Sequence, residues 1–499
     1  MFQQLRNLVF FGFGAIGIIA FHAGLYFPEW LSVAIVGAGV LAVWRDFARG
    51  ATGVLTPLAG VVLVVPFIHV VPYIWFDYAA PPPATLWGLR VNPYMTDERV
   101  IRLTGMLGAV AACGFMVGSG LSFSKHRPAI ASRTRSGEVC MTSLSMPIWL
   151  AWIAAGALLS WIATPVETLL EADYTKASSR FSGLGFDSAY LLSYLVFSIC
   201  FGDALVDSSR TRRRAKEIIF AAILAYVTIW LQLLRGDRAV LPLVGGVATA
   251  AAWWYPMSRG DCQAAKRGIF NLGAIALTVL LVSNVVSLLR VQLAGVASWS
   301  DIPGRLAIAL DDARGAGADH MEIAMHGTWT GALLTPLSVA GDHVHGLLQP
   351  KLGADYWNLL ISVPPGFVCE AIGFERPIDA LHGPAWEMTY GLGGTHAVVL
   401  PFRNWLMAGV FTVTLMWSYL LGPLERSCLR RRDALGLSSL CASVAVAPTW
   451  LWYGEKPLIT ALIAWLCLSN AYRLLQGRGG RGTTSQYARH RQGLSNDFA

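Results

Sequence analysis

One pattern repeats along this chain: an apolar run long enough to cross a bilayer, then a short polar gap, with basic residues collecting in every second gap. A membrane-crossing helix needs roughly 20 apolar residues. Twelve runs approach that length, at Leu8–Phe27, Trp30–Trp44, Gly53–Phe76, Val100–Phe123, Met146–Thr164, Ser188–Val206, Ile218–Leu234, Ala239–Tyr255, Gly268–Leu289, Leu400–Leu421, Ala434–Trp452 and Leu458–Leu475. The third run carries Pro66 and Pro72, so a kink is expected near its end. Only 14% of the 499 residues are charged and 55% are hydrophobic, whereas a soluble domain carries about 25% charge. The expected fold class is therefore an all-α integral membrane protein of about twelve transmembrane helices.

The charged residues orient those helices, because cytoplasmic loops collect Lys and Arg. With the N-terminus inside, the inner gaps hold Arg45 and Arg49, the cluster Lys125 to Arg135, the cluster Arg210 to Lys216, Arg259 to Arg267, Arg426 to Arg432 and the tail from Arg473. Together with Arg6 these are 24 of the 38 basic residues, against nine of the 30 acidic ones. Both termini are expected in the cytoplasm, and residues 476–499 are expected to form a disordered basic tail. The net charge of +8 is spread over short inner gaps, a pattern of orientation and not of nucleic-acid binding. The first run lacks a small-residue cleavage site and reads as a retained helix. Seven of the eight cysteines fall in or beside the runs or on the basic side, and only Cys369 lies in the long outer loop, so no disulfide framework is expected there.

The remaining polar sequence concentrates between Arg290 and Arg403, outside and between helices nine and ten. Residues 1–289 are thus read as nine helices with short loops, 290–399 as an extracytoplasmic loop domain and 400–475 as the last three helices. The loop is too rich in apolar and aromatic residues to be disordered. Helix-like pieces are expected around Arg305–Ala318 and His320–Leu334, interrupted by prolines such as Pro303, Pro336 and Pro350. A partly helical loop of this kind is expected to pack on the outer helix ends and close a cavity.

Three constellations carry chemistry. Leu233-Leu234-Arg235-Gly236-Asp237-Arg238 sets two arginines where membrane meets water. Guanidinium pairs there suit the diphosphate of a lipid carrier, or else close a tight turn with Asp237 while snorkelling. At the end of the loop, Gly393-Gly394-Thr395-His396 is followed by Pro401-Phe402-Arg403-Asn404 entering helix ten. His396 is placed to act as acid, base or diphosphate donor, or else is a solvated histidine on a glycine-rich turn. Between Val368 and Pro377, with Glu387 close behind, Glu370, Glu375 and Glu387 are the carboxylates able to take a proton from a sugar hydroxyl, with Arg376 alongside. Each is equally readable as a structural ion-pair partner. Asp342, His343 and His345 lack a further ligand at metal spacing, and no metal is expected.

On these motifs the stretch from Leu231 to Gly409 resembles the bacterial O-antigen and exopolysaccharide repeat-unit polymerases (Wzy-like), which are related to the O-antigen ligases. The family shows Gly-Ser-Arg where this chain has Gly236-Asp237-Arg238, and Gly-Gly-His-His where it has Gly393-Gly394-Thr395-His396. The resemblance implies a GT-C-like glycosyltransferase at the periplasmic face of the bacterial inner membrane. It would join polyprenyl-diphosphate-linked oligosaccharide repeat units without metal or cofactor, alongside membrane lipids and a chain-length regulator protein. His396, Glu387 and Glu375 would be catalytic, and Arg235, Arg238, Arg290, Arg376 and Arg403 would hold the diphosphate. An acidic residue commonly follows the histidine motif in that family; here Leu400-Pro401 stands instead, so no carboxylate is carried over to that spot. The alternatives are a ligase passing glycan to lipid A core and a non-enzymatic flippase or transporter, which predicts internal halves and charge deep within spans.

Overall fold

The computed structural model describes residues 2–48, 52–76, 94, 97–124, 143–163, 186–228, 241–258, most of 261–272 and of 299–308, 333, 335–361, 372–373, 396–430, 433–453 and 458–476. Among these residues 88% are helical and none lies in a strand. We number the helices α1 (Phe2–His22), α2 (Glu29–Ala48), α3 (Leu55–Phe76), α4 (Glu98–Ser124), α5 (Met146–Ala163), α6 (Phe186–Val206), α7 (Arg210–Tyr226), α8 (Leu241–Thr249), α9 (Ala354–Ile361), α10 (Val399–Arg430), α11 (Ala434–Tyr453) and α12 (Leu458–Gln476). Six are long and apolar enough to cross a membrane, and the shorter apolar helices Leu55–Ile68, Met146–Ile162 and Ala434–Ala447 stand beside them. This is the construction of an α-helical membrane protein. Most of the expected ninth run lies outside the described residues.

Helix bounds follow the apolar runs with instructive offsets. α1 starts at Phe2, because nothing in the polar opening blocks a helix, and it ends at His22 before the turn at Gly24, whose φ of 71° favours glycine. α3 continues through Pro66 and Pro72 to Phe76. α7 begins at Arg210, well before the first apolar residue, because Ser209 caps it by accepting from the Arg212 N–H at 3.4 Å. α8 runs into a π turn, Ala250–Trp254, and then Tyr255–Ser258. Pro336, expected to interrupt helical structure, stands within it instead: residue 333 and residues 335–344 are all helical.

The bundle is organised around α4, which packs most extensively on α10 and also contacts α1, α2 and α3. Close approach is set by small residues. A side chain at Gly114 would collide with the backbone of Phe411, and one at Gly118 with that of Leu415, the contact expected of small residues four apart on packed membrane helices. A second group joins α6 to α5 and α11. The apolar windows of α4 and α6 are 94% buried, whereas those of α1, α2 and α12 are 22%, 33% and 17% buried. The latter three are peripheral, and their exposed Leu8, Ile19, Leu41 and Leu466 face outward.

Helix ends assigned to one side by charge meet one another. At the basic end Arg6 pairs with Asp46, Arg426 reaches the Ser122 carbonyl at 3.1 Å, and Arg213 reaches the Tyr255 hydroxyl at 2.6 Å. Glu425 accepts from the backbone N–H groups of Gly53 (3.1 Å) and Leu55 (2.7 Å) at the start of α3. Lys216, fully buried, donates to Asp203 (2.6 Å) and the Leu144 carbonyl (3.0 Å) and forms an ion pair with Asp207 (2.9 Å), while Tyr472 on α12 donates to Asp203 at 2.6 Å. At the opposite end Arg102 pairs with Glu29 at 3.0 Å, Tyr94 donates to Asp342 at 2.9 Å, and His345 faces Asp97 at 3.5 Å.

Candidate functional site

The chain does not enter α10 as a straight helix. Trp405 (φ −135°, ψ 19°) and Leu406 (φ 55°, ψ −147°) break it into a short arm, Val399–Asn404, and a long one from Met407. The break is a reversal: a side chain on Gly409 would strike the Pro401 carbonyl and the Trp405 side chain, so the short arm lies folded against the long one. His396, Val398, Val399, Leu400 and Phe402 are each exposed by 1% or less. A re-entrant backbone of this kind is tolerated at membrane depth only when protein surrounds it.

Helix rise gives the arm its height. His396 packs edge-on to Phe67, with ring centroids 5.5 Å apart, and Phe67 stands about 18 Å above Leu55 at about 1.5 Å per residue. Phe402 packs on Phe21 at 5.7 Å, and Phe21 is about 28 Å up α1 by the same rise. The arm therefore climbs from the middle of the bundle at His396 to its rim at Arg403.

At the rim, two carbonyls freed by the break find new donors. Lys351 N–H donates to the Arg403 carbonyl at 3.0 Å and Leu352 N–H to the Asn404 carbonyl at 3.1 Å. The Asn404 side chain caps α9, accepting from Gly353 N–H (2.9 Å) and Asp355 N–H (3.3 Å), while its amide donates to the Leu400 carbonyl at 2.8 Å. Leu352 (φ 48°) and Gly353 (φ 96°) make the tight turn that brings this segment in. Asp355, 3% exposed, pairs with Arg403 Nε at 3.3 Å and accepts from Asn404 Nδ2 at 3.3 Å. A buried ion pair through Nε thus ties Arg403 to α9.

His396 differs from a solvated histidine, since it is fully buried. Its Nδ1 accepts from Val398 N–H at 3.4 Å, which puts the proton of a neutral ring on Nε2. Nε2 has no partner of hydrogen-bonding geometry among the described residues, with the Leu63 backbone beside it. A buried donor in that state is unusual, and it lies below Arg403, at the foot of the arm.

Of the residues expected from sequence, Arg403 lies on the short arm and His396 at its foot, its carbonyl accepting from the Val399 N–H at 2.8 Å. Arg235, Arg238, Arg290, Glu370, Glu375, Arg376 and Glu387 lie outside the described residues, as do the proposed helical pieces through residue 332 except for isolated positions. Asp342, His343 and His345 diverge: Asp342 takes the Tyr94 hydroxyl, His343 stacks on Phe21 at 4.8 Å, and His345 stacks on Tyr94 at 5.4 Å. Sequence reading passed over Asp355, one unremarkable carboxylate in an acidic loop. The only signal was the polar pair Arg403-Asn404 at the head of an apolar span, which requires polar partners when buried.

Burial, and then repulsion from His22, hold His343 below the ordinary imidazole range. The unfolded chain binds a proton there near 6.5 while the folded protein resists it, so this contribution is present above that pH and is lost as pH falls. Thermal stability in detergent should drop from about pH 7.5 to about 5.5, and less steeply in His343→Gln. An identical slope in both proteins would show that His343 is not responsible.

No protein-family model, no curated protein and no solved structure matches this chain.

Proposed function

We propose that the chain is a glycosyltransferase of the bacterial inner membrane, with twelve spans and its long loop on the periplasmic side, that polymerises polyprenyl-diphosphate-linked oligosaccharide repeat units. The observation that supports this most is the arm Val399–Asn404. It sets a guanidinium at the rim of an apolar bundle and, beneath it, a buried imidazole whose Nε2 has no partner of good geometry among the described residues. A lipid-linked diphosphate sugar has the matching shape, with its tail in the bilayer, its anionic diphosphate at the interface and its sugar beyond.

The chemistry needs little from the protein. Diphosphate is already a good leaving group, so Arg403 neutralises the charge that develops as the glycosidic bond breaks. Arg235, Arg238, Arg290 and Arg376 complete this role in the proposal. One of Glu375, Glu387 or His396 takes the proton from the acceptor hydroxyl, and positioning both glycans in one cavity supplies the rest.

The buried Lys216 cluster is the feature that favours a transporter, since charge within a bundle marks ion pathways. Three close acceptors around its ammonium group, at helix ends, fit a structural staple better. Purified protein in liposomes, given lipid-linked repeat units as sole substrate, should yield a ladder of longer lipid-linked glycans without added metal or nucleotide. Translocation of the unit with no lengthening would favour the transporter. Transfer only to added lipid A core would favour the ligase.

A further inference from the structure

Helix α9 is inside out by the standards of a water-exposed helix. Its polar Asp355 is buried with Leu359, whereas Ala354, Trp357 (65% exposed) and Leu360 (52%) share the outward side at a spacing of three. Leu352 in the preceding turn is 79% exposed. A helix on a periplasmic surface would turn this face inward and Asp355 to water.

The height of the helix explains the inversion. Tyr356 stacks on Trp405 at 5.1 Å, tying α9 to the break in α10. Below the break, Met407–Leu424 covers about 27 Å at about 1.5 Å per residue, close to the hydrocarbon thickness of about 30 Å. The break and α9 therefore stand at the outer boundary between acyl chains and headgroups, where Trp and Tyr concentrate. Trp405 (41%) is exposed beside α9, and Met416 and Leu420 are exposed farther along the long arm. Lys351, exposed beside Leu352, is placed for lipid phosphate.

We infer that α9 is an interfacial anchor, with its Ala354–Trp357–Leu360 face inserted among outer-leaflet phospholipids so that the Arg403 site is held at headgroup depth. The occupant is ordinary phospholipid, and the inference does not depend on the transferase reading. The test places a benzoylphenylalanine photocrosslinker at residue 357, and separately at 360, in the full chain in phospholipid nanodiscs. A third variant carries it at the exposed His345 as control. Irradiation should add one phospholipid mass to the 357 and 360 proteins, at a yield at least about tenfold above the 345 protein. Crosslinks from 357 and 360 to the chain's own loop, crosslinks to a second copy, or lipid yields equal to that at 345 would each overturn the anchor. Should one labelled variant fail to fold, the other carries the same readout.

Discussion

Replacing Lys216 by Ala should cost more stability than any other single substitution on the basic side of the bundle. The ammonium group is fully buried and lies within 3 Å of both Asp203 and Asp207, and it sits 5.8 Å from the Trp149 ring centre. Removing it leaves two carboxylates near each other in a dry site, a loss of about 3–5 kcal/mol for a broken buried pair. The protein should elute as aggregate or melt far below wild type in a detergent-solubilised thermal scan. Lys216→Met combined with Asp203→Asn and Asp207→Asn should recover much of the loss, because the penalty comes from uncompensated charge and less from the missing attraction. A stable, monodisperse Lys216→Ala protein would show that the cluster is hydrated and weak.

The second large effect is expected at Arg403. In the polymerisation assay Arg403→Ala should lower turnover by on the order of 10²–10³-fold, the usual cost of removing one donor aimed at developing charge. Donor binding should change much less, since the contact strengthens as the bond breaks. Arg403→Lys should recover little, because a compact ammonium lacks the planar, multi-donor fork of the guanidinium. Asp355→Asn separates positioning from folding: it retains the cap of α9 through its backbone but loses the ion pair, so turnover should fall while the melting temperature moves little. Wild-type turnover in Arg403→Ala would leave Arg403 as a structural partner of Asp355.

Much of this architecture was legible in the residues, for physical reasons. Apolar runs report helices because a backbone in lipid must satisfy itself, so α5, α6, α11 and α12 agree with the runs to within about two residues, as fraying ends allow. His396 and Arg403 were also readable as one or two turns apart, since they bracket a helix start. The reversal at Trp405-Leu406 was not readable. Neither residue is a glycine or proline, and a left-handed leucine is held there by Asn404 and by Lys351 and Leu352, about fifty positions earlier in the chain. Lys216 was hidden for a related reason: among the basic residues from Arg210 onward it looks like another inner-loop charge. Only the Ser209 cap, which starts α7 early, turns that position inward.

The same reversal changes what the longest helix can transmit. An unbroken helix is a stiff shaft, and twisting one end turns every side chain along it. At Trp405-Leu406 the shaft is cut, and Val399–Asn404 takes its bearings from α9 and from Phe67 and Phe21. Twist along the long arm is therefore not handed on to Arg403 or His396 through a continuous hydrogen-bond ladder. The short arm's bearing is set instead across the chain, by backbone groups of Lys351, Leu352 and Gly353 that meet Arg403 and Asn404.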